Sequence, residues 1–297
     1  MAADASLGFF SVRLVMSFIG ILGNVLLVFF IFKLSRIKSF EVFLLGLAVS
    51  NLEELVMVNF YEIILLTDSI HQSWLCRTLK FLSLVGEITS ILFTVLISVF
   101  RYQKLRDAEK RVNAPILLDH IKVALLVSGA CVLLSFTLGL PIYFIQIDTH
   151  DALNGSSVCP PDFFQCHRNF CPFLNRFYKY LFIVACNILP LLVVTATSGL
   201  IIRVLLGQKR TVVPGPSGKK SKGPTLQRST VAILTAMGVF QVDWTLYLVF
   251  HLVFSPSDVP LWADIEFFIT TSYTTLSPYV YGIGNNLFSY RTLMKRS

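Results

Sequence analysis

Seven stretches of this chain are each long and apolar enough to cross a bilayer as an α-helix, and nothing else in the sequence constrains the fold as much. They run approximately over residues 9–32, 40–66, 79–99, 121–147, 180–206, 230–254 and 261–283. A barrel strand needs only about 10 residues to cross, so stretches of this length are expected to span as helices. Composition agrees. The chain is 55% hydrophobic and only 14% charged, where soluble domains carry about 25% charged residues. The expected fold is therefore an all-α membrane protein, a seven-transmembrane helix bundle over residues 1–284. Residues 285–297 should form a short amphipathic helix and tail, with Leu287, Phe288, Tyr290, Leu293 and Met294 opposite Arg291, Lys295 and Arg296. The second stretch, carrying Glu53, Glu54 and Glu62, and the seventh, carrying Asp264 and Glu266, are the least hydrophobic.

Charge sets the expected orientation. Of the 25 Lys and Arg residues, 19 fall between stretches one and two, three and four, five and six, or after the seventh. That side is expected to be cytoplasmic, with the N-terminus outside. The net charge of +8 thus belongs to a membrane surface, and no nucleic acid partner is implied. Only eight residues without a basic leader precede the first stretch, which is expected to serve as its own insertion signal.

The loop over residues 148–175 carries Cys159, Cys166 and Cys171 and the glycosylation sequon at Asn154. Both features belong to the secretory lumen, in agreement with the charge rule. Cys76 opens the third stretch. Four cysteines allow three complete pairings; Cys76 with Cys166 is the preferred one, leaving Cys159 for Cys171. The run Cys159, Cys166, His167, Cys171 also looks like a zinc set, which an oxidising compartment disfavours. No metal or other cofactor is expected. Residues 207–227 read as a flexible basic linker.

Polar and helix-breaking residues recur at special depths. Cys76 and Arg101 are separated by about 38 Å of helix, so one sits at each face of a hydrocarbon core about 30 Å thick. Gly23-Asn24 and Asn51 interrupt the first two stretches, Pro190 the fifth and Pro278 the seventh, the last followed by Tyr281. Proline frees a backbone carbonyl and gives a bundle a place to bend.

Taken together, these marks resemble the rhodopsin-like superfamily of G-protein-coupled receptors, across essentially the whole chain. The departures are informative. Phe100 stands where an acid usually precedes the arginine, and Asn51 where an aspartate usually holds sodium. Span four has no tryptophan and span six no proline. Leu96-Ile97-Ser98-Val99-Phe100-Arg101-Tyr102-Gln103 and Thr275-Leu276-Ser277-Pro278-Tyr279-Val280 look like vomeronasal type 1 receptors, and more closely like the fish olfactory receptors related to them. That resemblance implies a chemosensory receptor for a small odorant or pheromone-like ligand. It further implies a plasma-membrane location and coupling to a heterotrimeric G protein of the inhibitory/Go type. Phe100, Arg101, Tyr102, Pro190, Pro278 and Tyr281 would carry activation. With Phe100 in place of an acid, Arg101 lacks its usual neighbouring restraint, so high basal signalling is expected.

The ligand is expected among spans three, five, six and seven. Lys80, Ser83, Leu84, Glu87 and Ile91 share one face of span three, and an ionisable residue at the depth of Glu87 is costly and marks a functional site. Trp244, Tyr247 and His251 share a face of span six. Glu266, Thr270 and Tyr273 lie on span seven, and Asp243 raises the same question as Glu266. Pairing with each other, with Lys80 or with His251 is the competing explanation for the acids. Ligand charge stays open: the acids favour a cation, while Arg77, Lys80 or His251 would suit an acid.

Bitter taste receptors are a near relative, usually lacking the disulfide from the Cys76 position. A transporter would show two repeated halves, which this sequence lacks. An enzyme would need paired acids or a Ser/His set at matched depth, and the histidines are scattered. A retinal-based light receptor would need a lysine in span seven, and there is none.

Overall fold

A computed structural model describes residues 2–67, 73–110, 117–145, 164, 171–211, 223–254, 259 and 262–288. The chain folds as seven long helices. They are α1 (Ala2–Phe32), α2 (Ser39–Thr67), α3 (Ser73–Lys110), α4 (Ile121–Gly139), α5 (residues 173–211), α6 (Gly223–Val253) and α7 (Trp262–Gly284). Five of them, α1, α3, α4, α5 and α6, are apolar enough to cross a membrane by length and composition alone. The exceptions are α2, which carries the buried Glu54, and α7, which carries the half-buried Asp264 and Glu266 and a row of Ser and Thr. They gain their place by polar packing against neighbours.

Several helices overrun or fall short of the apolar stretches. α3 starts six residues before position 79 and continues eleven past position 99, because its polar ends can be solvated outside a hydrocarbon layer. α4 ends at Gly139, and a tight turn at Leu140–Tyr143 takes over where Pro141 cannot continue it. Arg77 of α3 then caps that end, donating from Nη1 to the carbonyls of Ile142, Tyr143 and Ile145 at 3.0 Å each. The expected linker is shortened: α5 runs to Thr211 and α6 resumes at Gly223. The expected tail helix, Asn154, Cys159 and Cys166 lie outside the described residues, except that residues 285–288 form a turn.

α5 is built from three pieces. Phe173–Phe182 and Leu189–Thr211 are α-helical, and between them Ile183–Ile188 winds as a wide π turn. Pro190, with no N–H, follows the wide turn at once. Such turns cluster at functional sites in helices. Here the turn carries Cys186 and Asn187, both buried.

Close helix approach depends on two glycines in particular. A Cβ on Gly86 would lie 2.8 Å from the backbone nitrogen of Glu54, so glycine lets α3 touch the α2 backbone there. A Cβ on Gly23 would lie 2.6 Å from the Tyr279 ring, so glycine admits that ring between α1 and α7.

A polar junction ties four helices at mid-bundle. Asn51 donates from Nδ2 to Asn24 Oδ1 and to Ser277 Oγ at 3.1 Å each, and accepts from Ser90 Oγ at 2.7 Å. Asn24 donates at 2.9 Å to the carbonyl of Thr274, four residues before Pro278 and hence the one that proline leaves without a helical donor. Both amide donors of Asn51 and its carbonyl are thus used, and the junction is neutral where a carboxylate would stand in the resembled family. Each such bond contributes roughly 0.6 kcal/mol in a membrane. Asn51→Leu, which removes three, is expected to cost about 2 kcal/mol and to lower the melting temperature of the purified protein.

Candidate functional site

Two constellations stand out, at opposite ends of α3. The first lies toward Cys76, which is held in a disulfide, as is Cys171. Cys131 and Cys186 are free. Glu87 sits three turns below Cys76, and its Oε1 is buried without a hydrogen-bond partner among the described residues. The charged groups nearest it are Glu266, Lys80 and Glu54, the last buried in α2. Glu266 lies on α7. Trp262 donates from Nε1 to its Oε2 at 3.0 Å, and His251 Nε2 of α6 lies 3.8 Å from its Oε1.

Aromatic rings continue the circuit. The His251 ring centroid is 4.1 Å from that of Tyr247, and Tyr247 is 5.2 Å from Trp244. Trp244 leads to Phe240 and Phe240 to Tyr273, at 5.9 and 5.4 Å. Phe164, from the segment between α4 and α5, is fully buried against His251, Tyr178 and Phe182. Tyr178 in turn is coupled to Glu87. Side chains of α5, α6 and α7 are thus linked ring to ring through Phe164 and His251.

The expected binding residues meet there unequally. Glu87, Trp244, Tyr247, His251, Glu266 and Tyr273 form the connected set. Lys80 is coupled to Glu87 but also rests its ammonium 4.3 Å over the Tyr61 ring. Ser83 lies one turn above Glu87, half-buried. The Thr270 hydroxyl is spent on its own helix, donating to the carbonyls of Glu266 and Phe267 at 3.0 and 3.3 Å. Asp243 accepts from Ser272 Oγ of α7 at 2.6 Å, a partner other than those expected for it. Of the three groups expected to suit an acidic ligand, Arg77, Lys80 and His251, Arg77 is spent on the end of α4.

Several polar atoms in this half are buried without a hydrogen-bond partner among the described residues. They are Glu87 Oε1, both side-chain atoms of Asn187, Trp244 Nε1 and both nitrogens of His251. A protein interior normally satisfies such groups. These orphans come from three helices, α3, α5 and α6.

The second constellation surrounds Arg101. Phe100 is buried, stacked on Phe40 at 6.3 Å and edge-on to Phe43 at 5.7 Å, both from α2. The Arg101 guanidinium covers the other part of this cluster, its carbon 3.7 Å from the Phe40 centroid. Its Nη2 donates to Asn285 Oδ1 at 3.1 Å. The same oxygen accepts from Ser229 Oγ of α6 at 2.6 Å. Tyr281, fully buried, is coupled to Arg101, and the ring of Tyr102 faces Arg106 at 5.8 Å.

Asn285 stands where α7 ends, and the reason is local. Asn286 adopts the left-handed φ of 54°. Asn286 N–H donates to the Ile283 carbonyl and Leu287 N–H to the Gly282 carbonyl, at 3.2 and 2.9 Å. That is a Schellman ending with asparagine at the left-handed position. It holds Asn285 between Arg101 and α6. Arg101 has no carboxylate on the residue before it, and a neutral amide and an aromatic ring hold it instead.

Neither Asn285, Ser229 nor Phe40 was marked by the reading of the sequence. The pair Asn285-Asn286 directly after Gly284 is a helix-stop signal that points to this position. Phe100→Ala is expected to cost about 3 kcal/mol through the lost ring packing, seen as a lower melting temperature.

Seven long helices, five of them apolar enough to cross a membrane, thus carry an acidic and aromatic set toward one end of α3 and a held arginine toward the other. Residues 23–281 match the family described as 7 transmembrane receptor (rhodopsin family), and the chain belongs to it. It is similar to C-C chemokine receptor type 3 of Macaca fascicularis, 25% identical over 84% of this chain and 64% of that receptor. The same receptor of Macaca mulatta is 26% identical over the same shares. Human C-C chemokine receptor type 4 is 33% identical over 28% of this chain and 23% of its own. The chain thus spans 64% of the length of the first two relatives.

Proposed function

We propose that this chain is a chemosensory receptor of the plasma membrane, with its N-terminus outside. It binds a small odorant or pheromone-like molecule near Glu87 and activates a heterotrimeric G protein of the inhibitory/Go type. The observation that carries the small-molecule reading is the set of orphaned polar atoms on α3, α5 and α6, with His251 among them packed against the buried Phe164. The Lys/Arg asymmetry and the disulfide-bonded Cys76 support the orientation. The chemosensory branch rests on the Phe100-Arg101-Tyr102 and Ser277-Pro278-Tyr279 stretches.

Activation would begin where ligand meets Trp244 and Tyr273. Tyr273 shares a 2.8 Å hydrogen bond with Thr94 of α3. From there α3 and α7 lead to the Arg101–Asn285–Ser229 contact. The wide turn and Pro190 in α5, and Pro278 in α7, supply places to bend. Outward movement of α6 breaks the Ser229 bond and uncovers Arg101 for the G protein.

The named relatives are chemokine receptors, and a chemokine-like ligand is the second reading. Burial of Phe164 against His251 favours a small ligand over a protein chain inserted from outside. The test is nucleotide exchange on purified Go in the presence of small-molecule odorants, with substrate flux measured in parallel. Exchange without flux is expected. Flux without exchange would make the chain a transporter.

A further inference from the structure

We infer that the Glu87 region is a site for an organic cation, a primary or secondary ammonium on a compact apolar or aromatic body. Four observations carry this. Gly86 lets α3 touch the α2 backbone at Glu54, so the acids Glu87 and Glu54 stand at adjoining positions of the two helices. Glu87 Oε1 has no hydrogen-bond donor among the described residues. The nearest cation, Lys80, is shared with the Tyr61 ring. Finally, His251 is buried with no hydrogen bond at either nitrogen, and it directs Nε2 into the same acidic region, 3.8 Å from Glu266.

Among the described residues, most other charged groups at this end are committed. Arg13 pairs with Asp264 at 2.8 Å. Arg77 donates to three carbonyls. Glu266 already accepts from Trp262. Lys179 acts on His251 and is half-buried on α5. Among the described residues, a carboxylate ligand entering here would face Glu54, Glu87 and Glu266, with Lys80 beside Glu87 and Lys179 toward His251. An ammonium would supply the donor that Glu87 lacks and relieve its repulsion with Glu54 and Glu266. The walls suit the rest of such a molecule, because Trp244, Tyr247, Tyr178 and Phe164 present apolar and π surface that favours a cation.

Cation binding stands on this geometry, and its signalling consequence rests on the receptor reading above. The test uses the full chain in lipid nanodiscs with three matched probe sets: phenethylamine and hexylamine, phenylacetate and hexanoate, and the corresponding alcohols. Thermal stabilisation of the purified protein reads binding, and nucleotide exchange on added Go reads signalling. Amines are expected to stabilise the protein at lower concentrations than their acids or alcohols. Glu87→Gln should raise the amine concentration needed by about tenfold or more, the loss typical of a hydrogen bond to a charged group. Lys80→Gln, which removes the competing cation, should lower it several-fold and provides the reading if Glu87→Gln does not fold. Failure of every amine to stabilise, stronger action by acids or alcohols, or an amine response indifferent to both variants would overturn the cation site. Amine binding without nucleotide exchange would instead overturn the receptor reading, and exchange driven by acids would retain that reading while removing the cation.

Discussion

Arg101→Ala is expected to reduce ligand-stimulated nucleotide exchange to the level of membranes without receptor, with surface expression retained. Arg101 is a charged residue held near the end of a membrane helix by one amide and one ring. Burying a guanidinium this way is costly, so stability alone gives no reason to keep it. Removing it should leave the packing of Phe100 on Phe40 and Phe43 in place, because those rings contact each other directly. Exchange assays beside cell-surface labelling check this. Wild-type exchange in the variant would exclude Arg101 from coupling.

The second large effect is at Asn285, and it should run in both directions. Its Oδ1 receives Arg101 from α3 and Ser229 from α6. Asn285→Ala removes both bonds that join the α6 end to α3. If together they hold the resting state by about 1.4 kcal/mol, within the usual range for one or two hydrogen bonds, losing them shifts the equilibrium about tenfold toward the active state. Basal exchange should rise accordingly. Asn285→Asp keeps the acceptor and adds a charge opposite the guanidinium. A charge-assisted bond is roughly twice as strong as a neutral one, so basal exchange should fall below wild type. Ser229→Ala should raise it less than Asn285→Ala, since the bond to Arg101 remains. A merely structural role for Asn285 would lower expression in both Asn285 variants without moving basal exchange in opposite directions.

These residues also show where the sequence stops being readable. The seven helices were legible because a membrane demands about 20 apolar residues in a row, a signal carried by each segment alone. Asn51 was legible because an amide inside such a run needs a partner, and the structure supplies three. The connected set from Glu87 to Tyr273 followed from helical spacing on separate faces. What spacing does not encode is which faces meet. Arg101 and Asn285 are 184 residues apart, and only the crossing of α3 and α7 joins them. Glu54 read as a residue hard to place, and Gly86 across the helix pair is what makes it a neighbour of Glu87. Phe164 lies in a loop with no periodic pattern, and the wide turn of α5 has no residue signature apart from Pro190 beyond it. The helix overruns at α3 and α5 arise because hydropathy marks the lipid-facing stretch, while backbone hydrogen bonding continues into water.

The central claim is that a neutral contact through Asn285 holds the α6 end against Arg101, and one distance tests it directly. Spin labels at the exposed positions Arg106 and Val231, in a chain without the free cysteines Cys131 and Cys186, report the separation of α3 and α6. In lipid nanodiscs without ligand, the wild type should give one short-distance population and Asn285→Ala should add a longer one, while Asn285→Asp should not. Identical distance distributions in all three chains would contradict the claim.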